Sequence, residues 1–238
     1  MINHGGRKTV AKTRDEAEKP FWISFSDLMT ALMVLFLVAM TVALLAVTQA
    51  VSETESRTVE RKEEINLFLL DLSNITKEFP GISVRGQIID FGDRARFETN
   101  SHRLGESQSL LLSQFVPRVL SLAESKEGKR WLKRIAVEGF ADARGSYLHN
   151  LNLSLQRSER VLCALLLPSN GNSLTEEERR AIKKLFVVSG ASFNALRNSP
   201  EESRRIELRL EFLQLDESPA SQAPNQEDMD KHCPLDTR

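Results

Sequence analysis

The chain has 238 residues, 41% of them hydrophobic, with 32 Lys and Arg against 33 Asp and Glu. A net charge of −1 gives no global pull towards nucleic acid, and direct nucleic-acid binding is not expected. The length suits one ordinary domain with extensions, and the clustering of apolar residues in one window argues against both a wholly soluble and a polytopic chain.

Residues 1–20 form a polar flank in which Arg7, Lys8, Lys12, Arg14 and Lys19 outnumber Asp15, Glu16 and Glu18. Residues 21–50 are the expected transmembrane helix, because Leu28–Val47 contains 20 residues of which only Thr30 and Thr41 are polar. An α-helix rises about 1.5 Å per residue, so about 20 apolar residues cross a hydrocarbon core about 30 Å thick. Phe21, Trp22, Ile23 and Phe25 suit the headgroup belt on the N-terminal side. The positive-inside rule keeps the N-terminus in the cytoplasm and exports the chain beyond residue 50. A cleaved signal peptide, ending near Thr48 and Ala50, is the competing reading. The polar leader, the span length and the acid at its cytoplasmic end favour an uncleaved anchor.

That acid is Asp27. At about 100° per residue, Thr30, Thr41, Thr48 and Gln49 all fall within about 60° of it, forming a polar stripe that should face protein or water. An ionisable residue inside a span marks a proton or ion path by default. The alternative is that Asp27 is an interfacial N-cap, with the helix proper starting at Leu28.

Residues 51–81 read as a linker helix: Ile65, Phe68, Leu69, Leu72, Ile75 and Phe79 recur at helical spacing until Pro80-Gly81. Its apolar face either packs on the domain after it or pairs with a second copy. Residues 82–213 alternate strand and helix patterns. Strands are expected at 83–91 (reversing near Gly92-Asp93), 134–140, 187–190 and 204–212, with helices at 107–125, 148–167 and 175–186. The product is an α+β sandwich, a small mixed sheet with helices on one face. Residues 214–238, with six acids against two bases, read as a flexible acidic tail.

Within the domain, Gly139-Phe140-Ala141-Asp142-Ala143-Arg144-Gly145 is a strand end and turn presenting Asp142, and the helix after it presents Arg157. An acid and a base so fixed can grip a zwitterion, the carboxylate on its ammonium and the guanidinium on its carboxylate. An ion pair that only staples the turn is the plainer reading. Cys163 and Cys233 either bridge, tying the tail to the domain, or remain a buried and a free thiol. No metal-ligand cluster, phosphate loop or nucleophile elbow is present, so no metal, cofactor or enzymatic chemistry is expected.

Two resemblances sharpen this. Pro20-Phe21-Trp22-Ile23-Ser24-Phe25-Ser26-Asp27-Leu28-Met29-Thr30 resembles the signature of MotB-type stator subunits. In that family the aspartate carries protons for an ion-driven motor. The resemblance therefore implies a proton-carrying Asp27, with Thr30 and Thr41 adjacent to the channel. It also implies a homodimer inside a ring of larger MotA-like or ZorA-like transmembrane partners, in the cell inner membrane with the C-terminal domain periplasmic. Gly139-x-x-Asp142-x-x-Gly145, then Asn150-x-x-Leu153-Ser154-x-x-Arg157, is similar to the peptidoglycan-binding motif of OmpA C-terminal-like domains. That implies a site for the diaminopimelate-containing stem peptide made by Asp142, Asn150, Leu153 and Arg157. Ser203-Arg204-Arg205-Ile206-Glu207 resembles the family's Asn-Arg-Arg-Val-Glu and adds Arg205 as a pocket-wall residue. Phe140-Ala141 in place of the family's His-Thr, Ser203 in place of its Asn, and a long segment at 168–186 are departures, and the first two put the pocket's polarity in question. The short connection at 52–80, with both motifs in this order, most resembles MotB-like subunits of the Zorya anti-phage defence system. A flagellar-type stator subunit and a passive cell-wall tether remain alternatives.

Overall fold

Pro20 is followed by neither Pro nor Gly until Pro80, and one helix, α1 (Lys19–Thr76), occupies almost all of that interval. The computed structural model describes residues 19–167, 174–218 and 232–236, so the flank at 1–18 and the tail stretch 219–231 lie outside the described residues. The chain divides into two compact units, Met1–Arg57 and Thr58–Arg238.

In the first unit, α1 is long and apolar enough to cross a membrane, and none of that apolar window is buried. No break appears at the expected 50/51 boundary between span and linker, because nothing there interrupts the i→i−4 ladder.

In the second unit, the last turns of α1 bury Ile65, Phe68 and Leu72. Phe68 meets Phe212 edge to face at 5.6 Å, Arg61 Nε donates to the Leu213 carbonyl at 2.8 Å, and Trp131 Nε1 donates to Glu64 at 2.6 Å. That face of the helix therefore packs on its own domain, while Val59, Leu67 and Leu70 stay exposed.

The sheet has five strands, β1 (Ser83–Arg85), β2 (Ile88–Asp90), β3 (Leu132–Gly139), β4 (Phe186–Gly190) and β5 (Ile206–Phe212), in the order β1-β2-β5-β3-β4. Only β3 and β4 pair in parallel. The expected strand at 83–91 is instead a hairpin. It reverses at Gly86, whose φ of 59° suits a tight turn, and Gly92 opens a 3-10 turn after it. In β5, Ile206, Leu208, Leu210 and Phe212 are buried in the core and alternate with Glu207, Arg209 and Glu211.

Helices α2 (Glu106–Ala123), α4 (Tyr147–Leu166) and α5 (Glu176–Leu185) cover the core face, supplying Leu112, Phe115, Val161, Leu165 and Ile182. Two short helices, α3 (Lys126–Trp131) and α6 (Pro200–Ser203), lead into β3 and β5. The fold is thus a mixed sheet with helices packed on it. Gly139 sets how closely α4 approaches: a Cβ there would lie 2.0 Å from the Ser154 carbonyl oxygen. Residues 232–236, within the segment expected to be a flexible tail, are tied down. Cys233 is disulfide-bonded to Cys163 of α4 across 70 residues, and both Cys233 and Leu235 are buried.

Candidate functional site

In the first unit, Asp27 lies inside α1, well past its start at Lys19, so it is not the N-cap. It lines a shallow groove with Thr30, Ala31, Val34, Leu35, Val38 and Ala39; Thr41 is not among these. The threonine stripe is less demanding than its sequence suggests. Thr30 Oγ1 donates to the Ser26 carbonyl at 2.8 Å, and Thr41 and Thr48 donate to Leu37 and Leu44. Hydroxyls that bond back to the i−4 carbonyl are satisfied within their own helix. Asp27 and Gln49 have no hydrogen bond or ion pair among the described residues, so these two, of which Asp27 alone is ionisable, are the groups in this stripe that require a partner or water.

In the second unit, β3 ends at Gly139 and the chain turns through Gly145, with φ 97°, into α4. Ser146 caps α4 by accepting from the His149 N–H. Over this turn lies a cavity of about 220 Å³ lined by Thr99, Asn100, Asp142, Arg144, Gly145, His149, Asn150, Leu153, Arg157 and Arg204. Four of the five expected site residues, Asp142, Asn150, Leu153 and Arg157, therefore come together.

Asp142 sits at the centre. Its Oδ1 accepts from the Arg144 backbone N–H at 3.1 Å. Its Oδ2 accepts from Arg144 Nη2 at 2.6 Å and Arg204 Nη1 at 2.9 Å. Burial by itself would raise this carboxyl's pKa, but the hydrogen bonds from Arg144 and Arg204 outweigh it and hold the group at about 2.

Arg157 is fully buried. Its Nε, Nη1 and Nη2 donate to the carbonyls of Ser101 (2.9 Å), Phe140 (2.6 Å) and Glu98 (3.2 Å), and its guanidinium lies 5.0 Å from the Phe97 ring centroid. Burial, helped by the neighbouring Arg204 charge, lowers its pKa to about 10. Arg157 thus ties the 98–101 loop to the end of β3 as well as lining the cavity. Asn150 Nδ2 donates to the Arg144 carbonyl at 2.9 Å, and His149 Nε2 lies 2.8 Å from Asn100 Oδ1.

The expected wall residue Arg205 is not in the cavity. It faces the other way, 4.1 Å over the Phe140 ring, and its Nε donates to Glu207 at 2.8 Å. Arg204 takes the wall position. Strand alternation explains the exchange, since Arg204 shares the parity of the core-facing Ile206 whereas Arg205 shares that of Glu207. The same parity is present in the sequence. Thr99, Asn100, Arg144 and His149 also line the cavity without having been expected there, and the 98–101 loop carries no motif that could place its two residues. The departures at Phe140-Ala141 and Ser203 leave the cavity untouched, because none of the three lines it. Ser203 instead donates to the Ser199 carbonyl and accepts from the Arg197 N–H.

No protein-family model matches the chain. Zorya protein ZorB of Escherichia coli O139:H28 (strain E24377A / ETEC) is 44% identical over 208 residues, covering 84% of each chain. The chain belongs to the ZorB family. Among solved structures, the chain is similar to the periplasmic domain of Helicobacter pylori MotB, with 17% identity, 60% of this chain and 86% of that one covered, and a TM-score of 0.41. The cell wall anchor of the T6SS from Pseudomonas aeruginosa gives 19% identity, 61% and 95% coverage, and a TM-score of 0.37. The peptidoglycan-associated lipoprotein from Burkholderia pseudomallei gives 17% identity, 50% and 88% coverage, and a TM-score of 0.33.

Proposed function

We propose that this ZorB-family chain is the proton-carrying, wall-anchored subunit of an inner-membrane motor in Zorya anti-phage defence. It spans the membrane once, with its N-terminus in the cytoplasm and the domain from residue 82 in the periplasm. The observation that carries the reading is Asp27, a carboxyl with no partner among the described residues, inside a helix long and apolar enough to span a bilayer. Two copies of α1, ringed by larger membrane partners, would enclose that carboxyl and let it exchange protons between the two sides. Moving one charge through 100 mV releases about 2.3 kcal/mol, enough to bias a mechanical step.

The cavity around Asp142 anchors the assembly by gripping the diaminopimelate of peptidoglycan stem peptides. The Cys163–Cys233 disulfide supports placing this domain in an oxidising compartment. Phage plating on cells carrying the whole defence system tests the motor half of this reading. Asp27→Asn keeps the size of the side chain but cannot carry a proton, and it should abolish protection while Asp27→Glu retains part of it. Full protection with Asp27→Asn would reduce the chain to a passive tether.

A further inference from the structure

Three side chains spaced three residues apart on α4 each hold a different part of the chain. Arg157 donates to the carbonyls of Glu98 and Ser101, Arg160 Nη2 donates to Asp236 Oδ1 at 2.7 Å, and Cys163 is bonded to Cys233. Residues three apart on a helix are surface neighbours, so the 98–101 loop and the segment 232–236 are gripped from adjacent turns. Cys233 and Leu235 are buried, so that segment is packed against the domain.

The loop is the part of the cavity wall with the least support of its own. Residues 98–105 carry neither helix nor strand, yet Thr99 and Asn100 line the cavity. The chain leaves the loop through His102 and Arg103. Burial, with the charges of Arg160, Arg103 and Arg157, lowers the pKa of His102, while Asp236 opposes the shift. Asp236 therefore lies among basic side chains and supplies them with a counter-charge. It is the partner of Arg160 among the described residues, and Arg160 Nε is buried without a hydrogen bond. Cations so placed repel one another once their acid is withdrawn.

We propose, resting on the peptidoglycan reading above, that residues 232–236 form a redox-dependent strap that holds the 98–101 wall of the cavity in its binding position through α4. An external dithiol releases it: the Cys163–Cys233 bond breaks, two thiols form, and the dithiol closes to its own disulfide. The released strap withdraws Asp236 from Arg160, and the loop loses its support beyond the cavity. Asp236 is thus a positioning residue for the site, acting through Arg160.

Sacculus pull-down and native-state hydrogen exchange on the full chain, oxidised and after treatment with dithiothreitol, test this. Reduction should weaken binding by about tenfold, as when the competent loop position falls to about a tenth of the population. Exchange should quicken at 98–103 and stay unchanged in β3 and β5. Asp236→Asn, on a side chain 59% exposed and with the disulfide intact, should weaken binding about two- to fivefold, and Asp236→Glu should restore it. Unchanged binding and exchange in both the reduced chain and Asp236→Asn would overturn the proposal and leave the wall reading standing. Uniformly faster exchange across the domain on reduction, with none in Asp236→Asn, would also overturn it, marking the bond as a staple of the whole fold. If the oxidised wild type fails to bind sacculi, the wall reading falls, and exchange at 98–103 alone upholds or overturns the strap.

Discussion

Arg204 Nη1 lies 2.9 Å from Asp142 Oδ2, while its chain neighbour Arg205 faces the opposite side of the sheet. The two adjacent arginines therefore have separable tasks. Arg204→Gln should weaken sacculus pull-down by about tenfold or more, since it removes a charged hydrogen bond from the carboxylate at the centre of the cavity. Arg205→Gln should lower the stability of the domain, through loss of the Glu207 contact, while the folded fraction still binds sacculi. Equal loss of binding from both variants would contradict this division.

Asp142 also sets an acid limit. Its folded-state pKa of about 2 lies below the ordinary value of 3.8, so ionised Asp142 stabilises the folded domain. That contribution is fully present above about pH 4 and is lost as pH falls through about 2. Asp142→Asn should lack this component. The difference in unfolding free energy between wild type and variant should shrink between about pH 4 and pH 2. A constant difference across that window would show that the carboxyl is not held ionised by its arginines.

Arg157 lines the cavity, and its three bonds to carbonyls make it structural as well. Arg157→Ala strands the buried acceptor on Phe140 and two part-buried ones on Ser101 and Glu98, at up to about 1–3 kcal/mol for each group left unsatisfied. Chemical denaturation of the purified variant should show a loss of about 3 kcal/mol or more. Arg157→Lys, which keeps the charge but cannot reach three acceptors in one plane, should recover only part of it.

The Cys163–Cys233 bond closes a segment of 70 residues. In the chain-entropy description, its removal costs about 4 kcal/mol. Wild type should run differently on reduced and non-reduced gels, either Cys→Ser variant should lose that shift, and reductant should lower the melting temperature. No shift in wild type extracted from the envelope would contradict a bond formed after export.

The sequence is most informative where periodicity and spacing are strict. The alternation of Ile206, Leu208, Leu210 and Phe212 marks β5, and the Asp142 to Arg157 interval places two residues that the fold does bring to one cavity. Three features are not legible there, each for a physical reason. The reversal at Gly86 is hidden because Gly92 offers an equally good turn residue. The continuity of α1 through residue 50 reflects an absence of helix breakers, although the change from apolar to charged residues looks like a boundary. The polar stripe suggests several groups in need of partners, whereas back-bonding of the threonines to Ser26, Leu37 and Leu44 leaves the demand to Asp27 and Gln49.

The most direct measurement tracks cytoplasmic pH in cells making the full chain within the whole defence system, after the external medium is acidified. Wild type should admit protons once the system is triggered, Asp27→Asn should hold the internal pH steady, and both should still bind sacculi. Proton uptake by Asp27→Asn at the wild-type rate would contradict a proton path through this carboxyl.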